Sequence, residues 1–200
     1  MNRASTLDAR RARIIEAAIA VLARDGIAET TTRKIAAEAE VNQAMLRYYF
    51  GSKDDLLFAV LQEMMRQTRE VVQQASPRGK VLREILREGI SNFWQHFEMH
   101  PELQVMQYEL TLYALRNPAS AWLARQQYDG YCAVVETMFE QAFATTDVGG
   151  AISCAELARF VVGGMDGLIL QFISNRDTQR ARCDLANLVD AVIALAESKK

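Results

Sequence analysis

The chain has 200 residues, of which 50% are hydrophobic and 24% charged, and its formal net charge is -2. That is enough apolar chain for one domain with a true core, or for a small module joined to a larger one, so disorder is excluded as the default state. Cys132, Cys154 and Cys183 are odd in number and far apart, with no CxxC or Cys/His spacing, which argues against a disulfide framework and a zinc site and fits a reducing cytoplasm.

Proline is scarce at 3 and glycine modest at 10, whereas Ala, Leu, Arg, Glu and Gln abound, which favours helix over sheet. The expected fold class is all-α. Charges stand where a signal peptide would have its apolar core, and no run of about 18 uninterrupted apolar residues occurs, so neither export nor a membrane partner is expected. The small net charge hides an asymmetry. Residues 1–53 hold nine Lys/Arg against six Asp/Glu, and residues 54–200 hold fourteen against nineteen, which concentrates basic character at the front.

Apolar spacing predicts a first helix from about Arg10 to Arg24, burying Ile14, Ala17, Ala18, Val21 and Leu22, with Asp25 and Gly26 as its stop. A second begins after Thr31, a plausible N-cap, and turns Ile35, Ala36 and Ala39 inward. The third, Gln43 to Tyr49, is very short, capped by Asn42 and closed by Gly51. Ser52 with Asp55 three residues on reads as a capping box for a fourth helix reaching about Ala75, whose stripe is Leu56, Leu57, Val60, Leu61, Met64, Met65, Val71 and Val72. The segment SPRGK, residues 76–80, ends it and marks a boundary between modules. Further helices are predicted at about 79–98, 101–116, 118–145, 151–174 and 181–197, separated by HP, RNP, TTDVGG and SNRDT.

Helices two and three with the Glu40 to Asn42 connection make a helix-turn-helix. In the third helix Gln43, Ala44, Arg47 and Tyr48 share one face, while Leu46 and Phe50 join Val41 on the other. Arg47 offers a bidentate fork to guanine, Gln43 can meet an adenine edge, and Ala44 and Met45 suit thymine methyls. Tyrosine hydroxyls and lysines hold phosphates, which position a reader without specifying sequence. Arg3, Arg10, Arg11 and Arg13 are open between an added phosphate or minor-groove contact and a solvated arm.

From Ile14 to Leu57 the chain resembles the TetR family of bacterial transcriptional regulators: the apolar face of helix one, DG at 25–26, TTRKIA at 31–36, VNQAMLRYYFGSK at 41–53 and the Leu56–Leu57 pair. The resemblance implies that Thr32 and Arg33 approach DNA, that Asn42, Gln43, Ala44, Met45 and Arg47 stand where the recognition helix meets bases, and that Tyr48 and Lys53 grip phosphates. It implies two functional parts, a DNA-binding domain at 1–53 and a ligand-binding and dimerisation domain at 54–200. Two positions depart from the family. Glu40 stands where glycine is usual in the turn, and a left-handed non-glycine residue costs about 1 kcal/mol. Arg47 replaces a frequent aromatic, so base preference does not transfer.

Other signals are weaker. His96 and His100 lie at i and i+4, but Pro101 follows at once and no acid stands where a zinc protease needs it, so no metal, cofactor or catalytic residue is expected. Residues 151–174 are apolar around most of the helix, and Gly163 and Gly167 would each weaken an exposed helix by about 1 kcal/mol unless a neighbour approaches closely. A dimer seam built from Val161, Gly163, Gly167 and Leu168 with Tyr128, Val135, Met138 and Phe139 is the expected neighbour. An aromatic and Met-rich set, including Met64, Trp94, Phe97, Tyr108, Tyr113 and Trp122 with Glu109 as counter-charge, is the expected wall of an effector pocket suited to a lipophilic or cationic ligand. The function expected is a cytoplasmic, homodimeric repressor that releases double-stranded operator DNA on binding a small-molecule effector. The alternatives are an effector-independent DNA-binding dimer, and an enzyme or carrier with an incidental helix-turn-helix.

Overall fold

The computed structural model describes residues 3–73, 80–144 and 152–198. Among them every regular element is helical: α1 (Arg3–Glu29), α2 (Thr32–Glu38), α3 (Gln43–Phe50), α4 (Lys53–Gln73), α5 (Leu82–Met99), α6 (Pro101–Arg116), a 3-10 turn (Pro118–Ser120), α7 (Ala121–Phe143), α8 (Cys154–Asn175) and α9 (Thr178–Ala196). Most of SPRGK and all of TTDVGG fall outside the described residues.

The chain packs into two compact units, Met1–Arg66 with His100–Gln127 and Gln67–Met99 with Tyr128–Lys200. In the first, Ile14, Ala18, Val21 and Leu22 of α1, Ile35 of α2, Leu46 and Phe50 of α3, and Leu56, Leu57 and Val60 of α4 form one core. Met106, Leu110 and Ala114 of α6 enter the same core, because their i, i+4, i+8 spacing lays them along one helical face. Packing therefore draws a different line from the expected functional division at residue 53.

Helix α1 begins seven residues before the expected Arg10, and Leu7 to Arg13, all exposed, give no inward pattern to read. The helix breaks at Gly26, at the expected stop, and a short helical segment follows it to Glu29. Gly26 takes φ 75° and ψ 165°, a backbone that glycine alone adopts freely. The Ile27 N–H released by this break donates to Glu109 Oε2 at 2.9 Å. Thr30 Oγ1 in turn donates to the Gly26 carbonyl at 2.7 Å. Local caps set the next two helices as expected. Thr31 accepts from the Lys34 N–H and Asn42 from the Met45 N–H, while Gly51 closes α3 at φ 73°.

In the second unit, α5, α8 and α9 bury Leu86, Ile90, Trp94 and Phe97 with Leu157, Met165, Ile169 and Phe172, and with Val189 and Val192. Ser153 and Glu156 form a reciprocal capping box that starts α8. The glycine that brings α8 close to α9 is Gly164, where a Cβ would lie 2.6 Å from Leu188 Cδ1. At Gly163 and Gly167 a Cβ would meet nothing within 4 Å. Two residues expected at a dimer seam need correction. Phe139 and Val161, at 0% and 4% exposure, sit inside the protomer's own core, where apolar packing leaves them no area to offer a partner.

Candidate nucleic-acid interface

Local chemistry builds the candidate interface. Leu46 and Phe50 anchor α3 in the first unit's core, and this turns Gln43, Ala44, Arg47 and Tyr48 outward, all four exposed. Tyr48 is 76% exposed. Arg33 is exposed as well, whereas Thr32, Met45 and Lys53 are half-buried. Met45 lies between the outward and inward faces, so its side chain is only partly free to meet a base. Asn42 spends its side-chain oxygen on capping, accepting from the Met45 N–H at 3.0 Å.

Thr32, Gln43, Ala44, Arg47, Ser52 and Lys53 line a concavity of about 630 Å³. Gln43 Nε2 donates to Thr32 Oγ1 at 2.7 Å, which ties α2 to the first turn of α3 and orients the amide. Ser52 starts α4 by accepting from the Asp55 N–H at 3.0 Å, leaving the positive end of the helix beside Lys53. Of the N-terminal arginines, Arg13 and Arg11 are not a loose arm: Arg13 bonds Ala39 and Glu40, and Arg11 lies 5.3 Å from the Phe50 ring centre. The side chain of Arg3 lies outside the described residues. Glu40 does adopt the left-handed backbone expected of it, at φ 54°. Half-buried Asp25 accepts from Arg24 and pairs with Lys34, and those partners, Arg24 first, hold its carboxyl below the usual range.

The residues expected to line an effector pocket fall in both units: Met64, Tyr108, Glu109, Tyr113 and Trp122 in the first, and Trp94 and Phe97 in the second. Met64 belongs to the first unit's core. Glu109 caps the broken α1 at Ile27 instead of facing a ligand. Tyr113 donates to Asp54 Oδ1 at 3.3 Å and lies under Lys53, 5.5 Å from ring centre to Nζ. Trp122 packs edge-on against Phe58 at 5.0 Å, and Tyr108 is half-buried on α6. In the second unit Trp94 and Phe97 form a T-shaped trio with Phe172, with centroids 5.1 to 5.7 Å apart. Trp94 Nε1 is buried there with no hydrogen-bond partner among the described residues. Sequence reasoning missed Asp54 and Ser120, which are 66 residues apart yet hydrogen-bonded, and Asn117, which donates to Ser120.

A short outward-facing helix on a firm three-helix base, with cationic and hydroxyl groups around it, defines a helix-turn-helix DNA-binding protein. Residues 14–60 match the family described as "Bacterial regulatory proteins, tetR family", and residues 83–195 match "Tetracyclin repressor-like, C-terminal domain". The chain is 30% identical over 192 residues to the nicotine-responsive transcriptional repressor HdnoR of Paenarthrobacter nicotinovorans, covering 96% of this chain and 97% of that protein. The transcriptional repressor NicS of Pseudomonas putida is 29% identical over 100 residues, half of this chain and 47% of the relative. Among solved structures, the multidrug binding protein EbrR in complex with imidazole is 31% identical with a TM-score of 0.61, over 90% of this chain and 94% of that one. FadR of Bacillus subtilis, in complex with stearoyl-CoA, shares the fold at a TM-score of 0.69 and 22% identity, over 94% and 98%. The chain belongs to the TetR family and is a DNA-binding transcriptional repressor of the ligand-responsive kind.

Proposed function

We propose that the protein binds a two-fold operator as a homodimer and leaves it when a small nitrogen heterocycle is bound. The observation that carries this reading is the α3 face, where Gln43, Ala44, Arg47 and Tyr48 are exposed together over a buried base. Arg47 reads a guanine, Gln43 an adenine and Ala44 a thymine methyl. Tyr48, Lys53, Thr32 and Arg33 hold the phosphate backbone on either side. Residues 1–53 do the reading, and residues 54–200 carry dimerisation and effector binding.

The dimer surface is the outer face of α8. Phe160 and Leu170 are 44% and 52% exposed, and with Gly163 and Gly167 they fall at i, i+3, i+7 and i+10 on one stripe. The most apolar window of α8 has a mean hydropathy of 1.4, yet only 33% of it is buried. Such a helix requires a second cover. The open space at both glycines supports a second α8 lying close against it.

The effector class is supported by two likenesses, one to a repressor named as nicotine-responsive at 30% identity and the other to a multidrug binding protein in complex with imidazole at 31%. The effector acts by population shift, binding the released conformation better than the DNA-bound one. Electrophoretic shift with the DNA upstream of the protein's own gene tests the reading. Retarded DNA, released by nicotine or imidazole, is the expected result. Retardation that persists at saturating heterocycle favours the effector-independent reading, and absence of retardation overturns the operator assignment.

A further inference from the structure

We propose that Tyr113 and Ser120 hold the Asp54 carboxylate away from Lys53, so that α6 and the turn after it set the strength of the protein's grip on DNA phosphate. The inference rests on the assignment of Lys53 as a phosphate contact.

Asp54 follows Lys53 directly in the first turn of α4. An acid there favours the helix through its dipole, but beside a polyanion it repels the phosphate and competes for the neighbouring ammonium. In the structure both of its oxygens are occupied by hydroxyl donors. Tyr113 Oη donates to Oδ1 at 3.3 Å and Ser120 Oγ to Oδ2 at 2.5 Å. Ser120 is fully buried, and its oxygen also accepts from Asn117 Nδ2 at 3.0 Å, so the chain from Asn117 through Ser120 to Asp54 is fixed from behind. Such a satisfied polar network has one low-energy arrangement.

Tyr113 acts on both members of the pair. Its hydroxyl fixes Asp54, while its ring lies under the Lys53 ammonium at 5.5 Å, a weak cation–π contact that leaves the charge available to a phosphate. The ring is not free to wander, because Leu110 and Ala114 on the same helix are buried in the core that α4 shares. The positioning residues for a DNA contact thus stand on α6 and its following turn, some sixty residues beyond the reading helix in sequence, as the 59-residue separation of Tyr113 from Asp54 records. Any displacement of α6 against α4 frees the carboxylate at the place where phosphate is held.

The test uses the full-length protein and a random-sequence duplex, with anisotropy measured over a range of salt. Lys53→Ala should reduce the salt slope by about 1. Tyr113→Phe keeps the ring but frees Asp54 Oδ1, the oxygen that Ser120 does not hold, and should weaken binding about three- to tenfold while lowering the slope toward that of Lys53→Ala. Adding Asp54→Asn to Tyr113→Phe should restore wild-type affinity and slope, which a merely structural role for Tyr113 would not. Asp54→Asn alone should bind as the wild type does or more tightly. If Tyr113→Phe binds like the wild type while Lys53→Ala is weak, the inference fails and the Lys53 assignment stands. If Lys53→Ala binds like the wild type, that assignment fails and takes the inference with it. Failure of Asp54→Asn to rescue, or weaker binding by Asp54→Asn alone, also overturns the inference. Ser120→Ala supplies a second route to a freed carboxylate should Tyr113→Phe melt early, and wild-type binding by it would count against the proposal equally.

Discussion

Arg13 on α1 reaches the turn between α2 and α3 and bonds there twice, its Nη2 donating to the Ala39 carbonyl at 2.8 Å and to Glu40 Oε2 at 3.2 Å. The first bond satisfies a carbonyl at the end of α2. The second draws the acidic side chain toward α1, which answers the difficulty of a glutamate in a DNA-facing turn. Both side chains are largely exposed, so the ion pair itself contributes about 0 to 1 kcal/mol. Glu40→Gly should stabilise the protein by about 1 kcal/mol by relieving the left-handed backbone, and Arg13→Ala should destabilise it by about 1 kcal/mol through the lost carbonyl bond. Urea midpoints at unchanged slope are the check.

Reading and gripping should separate by mutation. Arg47→Ala should lose roughly 1 to 3 kcal/mol on the operator and relax preference at one base pair, whereas Lys53→Ala should weaken all sequences alike. Competition with random duplex distinguishes them. Equal losses on operator and random DNA for Arg47→Ala would remove it from the base-reading set.

The α8 stripe predicts how the dimer fails. Leucines at both Gly163 and Gly167 fill the space a partner helix would use, and packed surfaces accept little added volume. Sedimentation should show monomers with helicity retained, because neither site is crowded within the protomer. The same change at Gly164 should instead unfold the second unit, since Leu188 already occupies that space.

Tyr128 gives a pH signature. Burial first, then Asp166 as neighbouring charge and hydrogen-bond partner, push its phenol from 10.0 up to about 12. The raised folded value means that stability from the protonated phenol is complete below pH about 10 and is lost as the pH climbs through about 12. Tyr128→Phe should flatten that part of the alkaline denaturation curve, and ultraviolet titration should count one tyrosine fewer among those ionising near pH 10.

What could be read from sequence was what local chemistry decides. Thr31, Asn42 and Gly51 fix their helix ends with partners three or four residues away, and the outward face of α3 follows from Leu46 and Phe50 alone. The bonds of Glu109 to Ile27 and of Tyr113 to Asp54 are not legible in sequence, because the partners lie 82 and 59 positions away. Phe139 and Val161 were placed at a seam because an apolar residue in a core and one at an interface have the same composition. Gly163, Gly164 and Gly167 differ only in which side of α8 they occupy, and sequence alone did not say which side meets α9.

Control of this reader by a small molecule is measured as operator affinity with and without a heterocycle that raises the melting temperature. Operator binding should be at least tenfold weaker at saturation, corresponding to roughly 1.4 kcal/mol of coupling, together with an equal weakening of heterocycle binding by operator. A tightly bound heterocycle that leaves operator affinity unchanged would contradict it.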